Sequence, residues 1–256
     1  MQLRIATYNI HKGFSHFNRR MVVHDLRRTL RAIGADLVFL QEVHGRNERH
    51  AGRFQDWPDE PQYEFLADEA WPDFAYGRNA VYDHGDHGNA ILSRYPITSV
   101  VNQDVSGHRF ERRGLLHCEI ALPGGDGSQG QTLHCLCVHL ALGERGRRTQ
   151  TGALIERIRA EVPDGAPLIV AGDFNDWRNR VSARLTSELG LTEAFRDSRG
   201  RPARSFPSFM PLLRLDRIYL RGFDVEHAEV HHGLPWSRMS DHAALSARIR
   251  LTPGAR

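Results

Sequence analysis

The sequence predicts a domain of mixed α and β structure whose chemistry sits at the ends of buried strands. Three observations carry this. The stretch Leu168-Ile169-Val170-Ala171 is a short apolar run, rich in β-branched residues, that reads as a strand buried on both faces. Gly172 breaks it, and Asp173 and Asn175 follow at i and i+2, so a carboxylate and an amide leave the strand end on one side. A strand-helix-strand pattern opens the chain, and its right-handed crossover puts both strand ends on one edge. Such ends are where α/β enzymes place catalytic groups; an Asp turn after a core strand is the plainer alternative.

The 256 residues carry no internal repeat, linker or low-complexity stretch, so residues 1–256 are expected to form a single domain. An apolar content of 40% and a charged content of 25% are those of a globular protein that is not fibrous or disordered. No apolar run is long enough to span a bilayer, which excludes a helical membrane protein. The chain opens directly into a strand-like run, with no charged-then-apolar leader. Three cysteines do not suggest a disulfide framework. A cytoplasmic location is the expectation. The net charge of +3 and pI near 9.0 mildly favour an anionic partner. Lys12 is the sole lysine, three residues past Asn9, which singles it out against a uniform arginine background.

In chain order, Arg4–Ile10 reads as a strand ending in Asn9, followed by His11-Lys12-Gly13. Val22, Leu26, Leu30 and Ile33 recur at helical spacing and Gly34 supplies a stop, predicting a helix over 19–33. Asp36–Gln41 is a second buried strand with Glu42 at its end, a solvated cap or, beside Asn9, a metal ligand. Residues 43–62 are polar and read as a long loop on the rim of the site. Residues 74–79 and 88–97 read as strands around a turn. Arg109, Arg112 and Arg113 lead into a strand over 114–122, and could hold phosphate oxygens or simply be solvated.

Cys135, Cys137 and His139 fall on one face of a strand over 132–140. Same-face neighbours on one strand do not wrap a tetrahedral ion, so the cysteines are read as small core residues and His139 as a candidate for chemistry. A helix over 145–161 points Leu154, Ile155, Ile158 and Val162 inward, and a further helix covers about 179–189. Asp216 is an acid set into the apolar strand 215–220 and requires a partner, since an unpaired buried charge costs several kcal/mol. Ser240-Asp241-His242 opens the final strand, its Asp and His serving opposite sides.

The motifs Thr7-Tyr8-Asn9-Ile10, Gln41-Glu42-Val43, Gly88-Asn89-Ala90-Ile91-Leu92-Ser93-Arg94, Val138-His139-Leu140, Gly172-Asp173-Phe174-Asn175, Leu215-Asp216-Arg217-Ile218-Tyr219 and Ser240-Asp241-His242 span the chain. In that order they resemble the endonuclease/exonuclease/phosphatase superfamily, which includes DNase I, exonuclease III-type repair nucleases, neutral sphingomyelinases and inositol-polyphosphate 5-phosphatases. The likeness is greatest to small single-domain bacterial members with the same Asn-Ile-His-Lys-Gly and Gly-Asp-Phe-Asn-Asp-Trp wording.

The resemblance implies an α+β, DNase I-like fold: a four-layer α/β/β/α sandwich of two packed mixed sheets flanked by helices. It implies Mg²⁺, replaceable by Mn²⁺, with Glu42 as principal ligand and Asn9 and Asp241 near the ion. Asp173 would orient or deprotonate the attacking water, Asn175 would hold a phosphate oxygen, and His242, oriented by Asp216, would contact the phosphate or act as acid/base. His139 would lie near the leaving group. His11, Lys12, Asn89, Arg112 and Arg113 complete the expected substrate contacts. The chain departs from the exonuclease III type, which carries a Tyr in the stretch that here reads Arg109–Arg113, and it lacks the DNase I disulfide cysteines.

The expected function is therefore Mg²⁺-dependent hydrolysis of a phosphodiester, with nucleic acid as the default substrate and a phospholipid or other small phosphodiester as the alternative. A lipid enzyme should expose an apolar rim. The one concentrated candidate is Phe206–Leu213, which composition assigns more readily to the core. A non-catalytic binding module would be expected to have lost a ligand or a histidine, and none is missing.

Overall fold

The computed structural model describes residues 1–15, 20–107, 111–124, 130–196 and 200–252. In chain order the elements are β1 (Gln2–Asn9), α1 (Val23–Ile33), β2 (Leu37–Asn47), α2 (Glu48–Arg53), α3 (Gln62–Ala67), β3 (Asp73–Tyr82), β4 (Gly85–Ser93) and β5 (Ile97–Asp104). Then follow β6 (Gly114–Leu122), β7 (Gln131–His139), α4 (Glu144–Glu161), β8 (Leu168–Asp173), α5 (Arg180–Leu189) and β9 (Thr192–Glu193). The chain closes through β10 (Asp216–Arg221), β11 (Phe223–His231) and β12 (Ala244–Leu251).

The strands form two six-stranded sheets, ordered β11-β12-β1-β2-β4-β3 and β5-β6-β7-β8-β10-β9. Each is mixed: β1–β2 and β7–β8 are parallel, the other pairs antiparallel. The period-2 alternation of buried strands explains the layering. Ile169 and Ala171 face the space between the sheets, where they meet Ile5, Phe39 and Leu245, while Leu168 and Val170 face α4 and α5. Ala6 and Tyr8 point outward from the first sheet onto α1 and α3. The result is the expected α/β/β/α sandwich with three apolar layers. The inward stripe of α4 is Leu154, Ile155 and Ile158, with Val162 just beyond it, all buried as their spacing predicts. Truncating one of these to Ala removes ~2–5 kcal/mol. Cys118, Cys135 and Cys137 are free thiols in the layer between the sheets, and burial pushes Cys118 and Cys137 up to about 12.

Several boundaries differ from the sequence reading. Helix α1 starts at Val23 with no side-chain cap: residues 20–22 of the expected helix are not helical, Met21 bridging to Phe14 instead, and residue 19 lies outside the described residues. The polar stretch 43–62 is not a loop throughout. β2 continues to Asn47 by pairing with β4 across two register shifts, and Asn47 then caps α2 by accepting the His50 N–H at 3.0 Å. The exposed polar residues of this stretch fall mainly in α2 and the segment after it, while the end of β2 is largely buried. The chain crosses between sheets at Arg94-Tyr95-Pro96, so the run read as one strand to residue 97 is divided between β4 and β5. Arg109 lies outside the described residues. Phe206–Leu213 is not core: it is a short hairpin with Phe209, Met210, Leu212 and Leu213 exposed.

Candidate active site

Three strand ends lie side by side in register. His139 on β7 pairs with Asp173 on β8, and Asp173 pairs with Asp216 on β10. Directly paired residues share a sheet face, so backbone hydrogen bonding alone brings these side chains together. Gly172 makes the row possible. Its φ is +146°, and a Cβ there would stand 2.0 Å from the Val138 carbonyl oxygen.

The first sheet closes the row from the opposite side. Asn9, at the end of β1, donates its Nδ2–H to Asp173 Oδ2 at 3.2 Å. Its Oδ1 accepts the His11 N–H at 3.1 Å. Asp173 Oδ1 accepts the Asn175 N–H at 3.0 Å, and Asn175 Nδ2 donates to the Leu140 carbonyl at 3.0 Å. His139 Nε2 stands 3.4 Å and His242 Nε2 3.8 Å from Asp173 Oδ2. The Nδ1 of His242 is bonded to Asp216 Oδ2 at 2.8 Å, the partner the buried acid required. Ser240, given no role of its own by the sequence, locks the corner. Its Oγ donates to the Asn9 carbonyl at 2.7 Å and accepts the His242 N–H at 3.2 Å. The ring of Phe206 meets His242 edge to face at 5.1 Å. Asp241 and His242 lie in the bend before β12 rather than in the strand.

Glu42 sits one residue past Gln41, the register partner of Asn9, where the β2–β4 pairing is shifted. Its φ is +55°, and His11 (+46°), Lys12 (+59°) and Asn175 (+50°) share this left-handed conformation. Non-glycine residues held there cost of order 1–3 kcal/mol each and concentrate at functional sites. Only two other non-glycine residues among those described do so, Glu69 and Asn179. Lys12 Nζ lies 3.6 Å from Glu42 Oε2.

The electrostatics separate the groups. Burial pushes the Asp173 carboxyl up to about 6, against the pull of His242. Burial also drives the His139 imidazole well below its ordinary range. It opposes the charged form of His242 too, but the carboxylates of Asp216 and Asp173 overcome it and raise that ring to about 10. At Glu42 burial would raise the carboxyl, yet the surrounding basic groups, His139 and Lys12 foremost, outweigh it and hold it at about 2.

The expected site residues do not all converge. Arg113 borders the site, with Nε donating to the Leu140 carbonyl at 3.4 Å and Nη2 paired with Glu111 at 3.4 Å. Arg112 turns to Asp104 at 3.9 Å. Asn89 is buried with its amide donated to the carbonyls of Gly114 and Cys137, a tie between the sheets. Asp176, adjacent in sequence, caps α5 by accepting the N–H groups of Arg180, Val181 and Ser182. Two oxygen-rich groupings could hold a cation. Asp173, Asp216 and His242 each bring one ligand atom within 4.8 Å of the others. Glu42 lies with Asn9 across the parallel β1–β2 ends.

This fold and this row of residues define a class, and the chain belongs to it: the profile of the Endonuclease/Exonuclease/phosphatase family matches residues 6–242. Members of the family are typically hydrolases of phosphoester bonds and are generally dependent on a divalent metal. Among individual proteins, the chain is 50% identical over 248 residues to the "Uncharacterized protein YbhP" of Escherichia coli (strain K12), covering 97% of this chain and 96% of that one. It superimposes on an endonuclease/exonuclease/phosphatase from Beutenbergia cavernae with a TM-score of 0.77 at 21% identity, covering 99% and 72% of the two chains. Truncated Caenorhabditis elegans TDP2 matches with a TM-score of 0.67 at 17% identity, over 97% of each chain. These structural likenesses show the fold.

Proposed function

We propose that the protein hydrolyses a phosphodiester by attack of water, with Mg²⁺ as its cofactor and Mn²⁺ able to replace it. The observation that carries this reading is the buried quartet of Asn9, Asp173, Asp216 and His242: two hydrogen-bonded pairs, Asn9–Asp173 and His242–Asp216, joined by a charge contact of 3.8 Å between His242 Nε2 and Asp173 Oδ2. Asp173 orients the water through Oδ2 and takes up its proton, a role suited to a carboxyl raised to about 6. The Asp216–His242 pair presents Nε2–H as a cationic donor to a phosphate oxygen, with Asp216 fixing the ring through Nδ1. His139, whose Nε2 lies 3.4 Å from Asp173 Oδ2, is assigned to the leaving group. Asn175 and Lys12 supply further contacts to the anion.

The donor set fits a hard divalent ion. Glu42 and Asp241 offer carboxylates, and Asn9 offers an amide oxygen whose direction is fixed because Nδ2 is held by Asp173. When bound there, the ion polarises the phosphoryl oxygen and neutralises developing charge. The trio of Asp173, Asp216 and His242 is assigned instead to proton handling, because Asp216 and His242 already occupy each other.

The test is turnover of bis(p-nitrophenyl) phosphate, plasmid DNA and single-stranded DNA, with Mg²⁺ and with EDTA, by the wild type and Glu42→Ala. Metal-dependent hydrolysis lost in Glu42→Ala is the expected outcome. Hydrolysis that survives both EDTA and the substitution would remove the metal assignment, and the absence of any hydrolysis would remove the reaction. Nucleic acid is the default substrate on family grounds, and plasmid nicking would support it.

A further inference from the structure

The hairpin that packs against His242 has a second side. Phe206 and Leu213 pair across it, with both the Leu212 and Leu213 N–H groups donated to the Phe206 carbonyl at 2.8 Å. Its base is fastened to the active site. Ser208 donates its N–H to the Asp241 carbonyl at 2.7 Å and its Oγ–H to the Ser240 carbonyl at 2.6 Å, and Ala243 N–H reaches the Ser205 carbonyl at 2.7 Å. The chain then runs directly into Asp216. Its tip is open to solvent: Phe209 is 67% exposed, Met210 55%, Leu212 51% and Leu213 42%. Leu234 is 69% exposed and follows Gly233, whose N–H is bonded to the Ser208 carbonyl at 2.9 Å. An apolar group this concentrated, rimmed by polar residues, marks an interaction surface.

Among the described residues that line the cleft beside the tip, the formal charges are of one sign. From Gly200 to Leu215 the sequence contains Arg201, Arg204 and Arg214 and no carboxylate. With Arg196 they line an open cleft of about 750 Å³ whose apolar wall includes Phe209 and Met210, and no acidic residue stands among the described lining residues. Arg196 and Arg204 are exposed.

We infer that the hairpin 206–213 docks the protein on an anionic phospholipid surface and carries the mouth of the active site to it, so that the substrate is a phosphodiester at the membrane–water interface. Apolar side chains backed by guanidinium groups match hydrocarbon lying beneath phosphate headgroups. Arginine engages phosphate oxygens bidentately, which suits the headgroup layer. A polynucleotide would answer the arginines but leave the apolar tip against a charged backbone. A second copy of the chain would cover the tip but set like charges face to face. The substrate half of this inference rests on the phosphodiesterase reading; the docking half does not.

The experiment is flotation of the full chain with vesicles of phosphatidylcholine alone and of phosphatidylcholine mixed with phosphatidylglycerol, beside turnover of bis(p-nitrophenyl) phosphate. Wild-type protein should float with the mixed vesicles, not with phosphatidylcholine alone, and added salt should weaken the association. The double variant Phe209→Ser/Leu212→Ser and the single variant Arg204→Glu should each lose about tenfold or more in binding to the mixed vesicles. Both should keep wild-type turnover of the soluble diester, which also shows that they fold. Wild-type protein that stays with the soluble fraction on mixed vesicles overturns the docking, even with the diester hydrolysed. A dimer that the double variant converts to monomer, or DNA binding that the double variant loses while vesicles remain unbound, also overturns it. Vesicle binding without hydrolysis of any diester would leave docking standing and remove the enzymatic reading instead.

Discussion

Asp216 accepts the Nδ1–H of His242 at 2.8 Å with one carboxylate oxygen, and its other oxygen, buried, has no hydrogen-bond partner. The pair therefore fixes the tautomer and direction of the imidazole and supplies much of the charge that keeps the ring protonated to about 10. Asp216→Asn keeps the shape and removes the charge. The alkaline limb of the kcat/KM profile should move to lower pH, and kcat should fall by ~10²-fold or more. A profile that superimposes on the wild type would show that His242 does not act in its charged form.

In the proposed reaction Asp173 must be ionised to receive a proton from water. Burial raises its carboxyl to about 6, so kcat/KM for a soluble diester should fall as the pH drops through that region and rise above it. Asp173→Asn should lower the rate by ~10²–10⁴-fold and abolish this limb. Retention of the limb in the variant would assign it to another group.

Mg²⁺ bound to the folded state alone stabilises it by RT ln(1 + [L]/Kd), about 2.7 kcal/mol at a hundredfold excess over Kd. Wild-type protein should melt at a higher temperature in Mg²⁺ than in EDTA, and Glu42→Gln should lose that difference. An equal shift in the variant would place the ion elsewhere, the Asp173-Asp216-His242 trio being the alternative.

Lys12 is paired with Glu42 at 3.6 Å with its side chain 38% exposed, free enough to turn to an anion. Lys12→Ala should raise KM for a soluble diester several-fold with a smaller change in kcat. An unchanged KM would remove Lys12 from the substrate contacts.

Away from the site, His117 Nε2 and His134 Nδ1 face each other at 3.2 Å on β6 and β7. Burial, reinforced by Arg157, lowers His117 to about 4, and burial lowers His134 as well. Unfolded histidine titrates near 6.5, so below that pH the unfolded chain binds more protons and stability is lost on acidification through the window down to about 4. Urea denaturation of His117→Gln/His134→Gln should show a shallower slope there. His44 and His87, held at about 3 and about 4 chiefly by burial, should leave a residual slope.

What was legible in the sequence follows from what each signal depends on. Asn9, Glu42, Asp173 and Asp216 stand out because a polar residue closing a buried strand is a local exception to pattern. The α4 stripe is equally local. The pairing of Asp216 with His242 could be anticipated as a need, but its partner is fixed by the placement of β10 beside β8 and of the bend before β12. Ser240 carries no separate signal because the bond that makes it a corner runs to the Asn9 carbonyl, at the other end of the chain. Asn89 carries a family motif yet spends its amide on two carbonyls, which only register reveals. Hydropathy leaves Phe206–Leu213 open between an exposed rim and the core, because it reports what a segment could bury and not whether anything covers it.

The in-register row of His139, Asp173 and Asp216 makes the sheet a ruler. Spacing among these groups is set by the fixed interval between hydrogen-bonded strands, not by the connections that follow them. A one-residue slip of β10 would present Arg217 in place of Asp216 and turn the carboxylate to the opposite face. Insertions beyond the strand ends would leave that interval untouched. Descendants of such a chain can thus lengthen or exchange their loops, and with them the molecules they accept, while inheriting the same reaction.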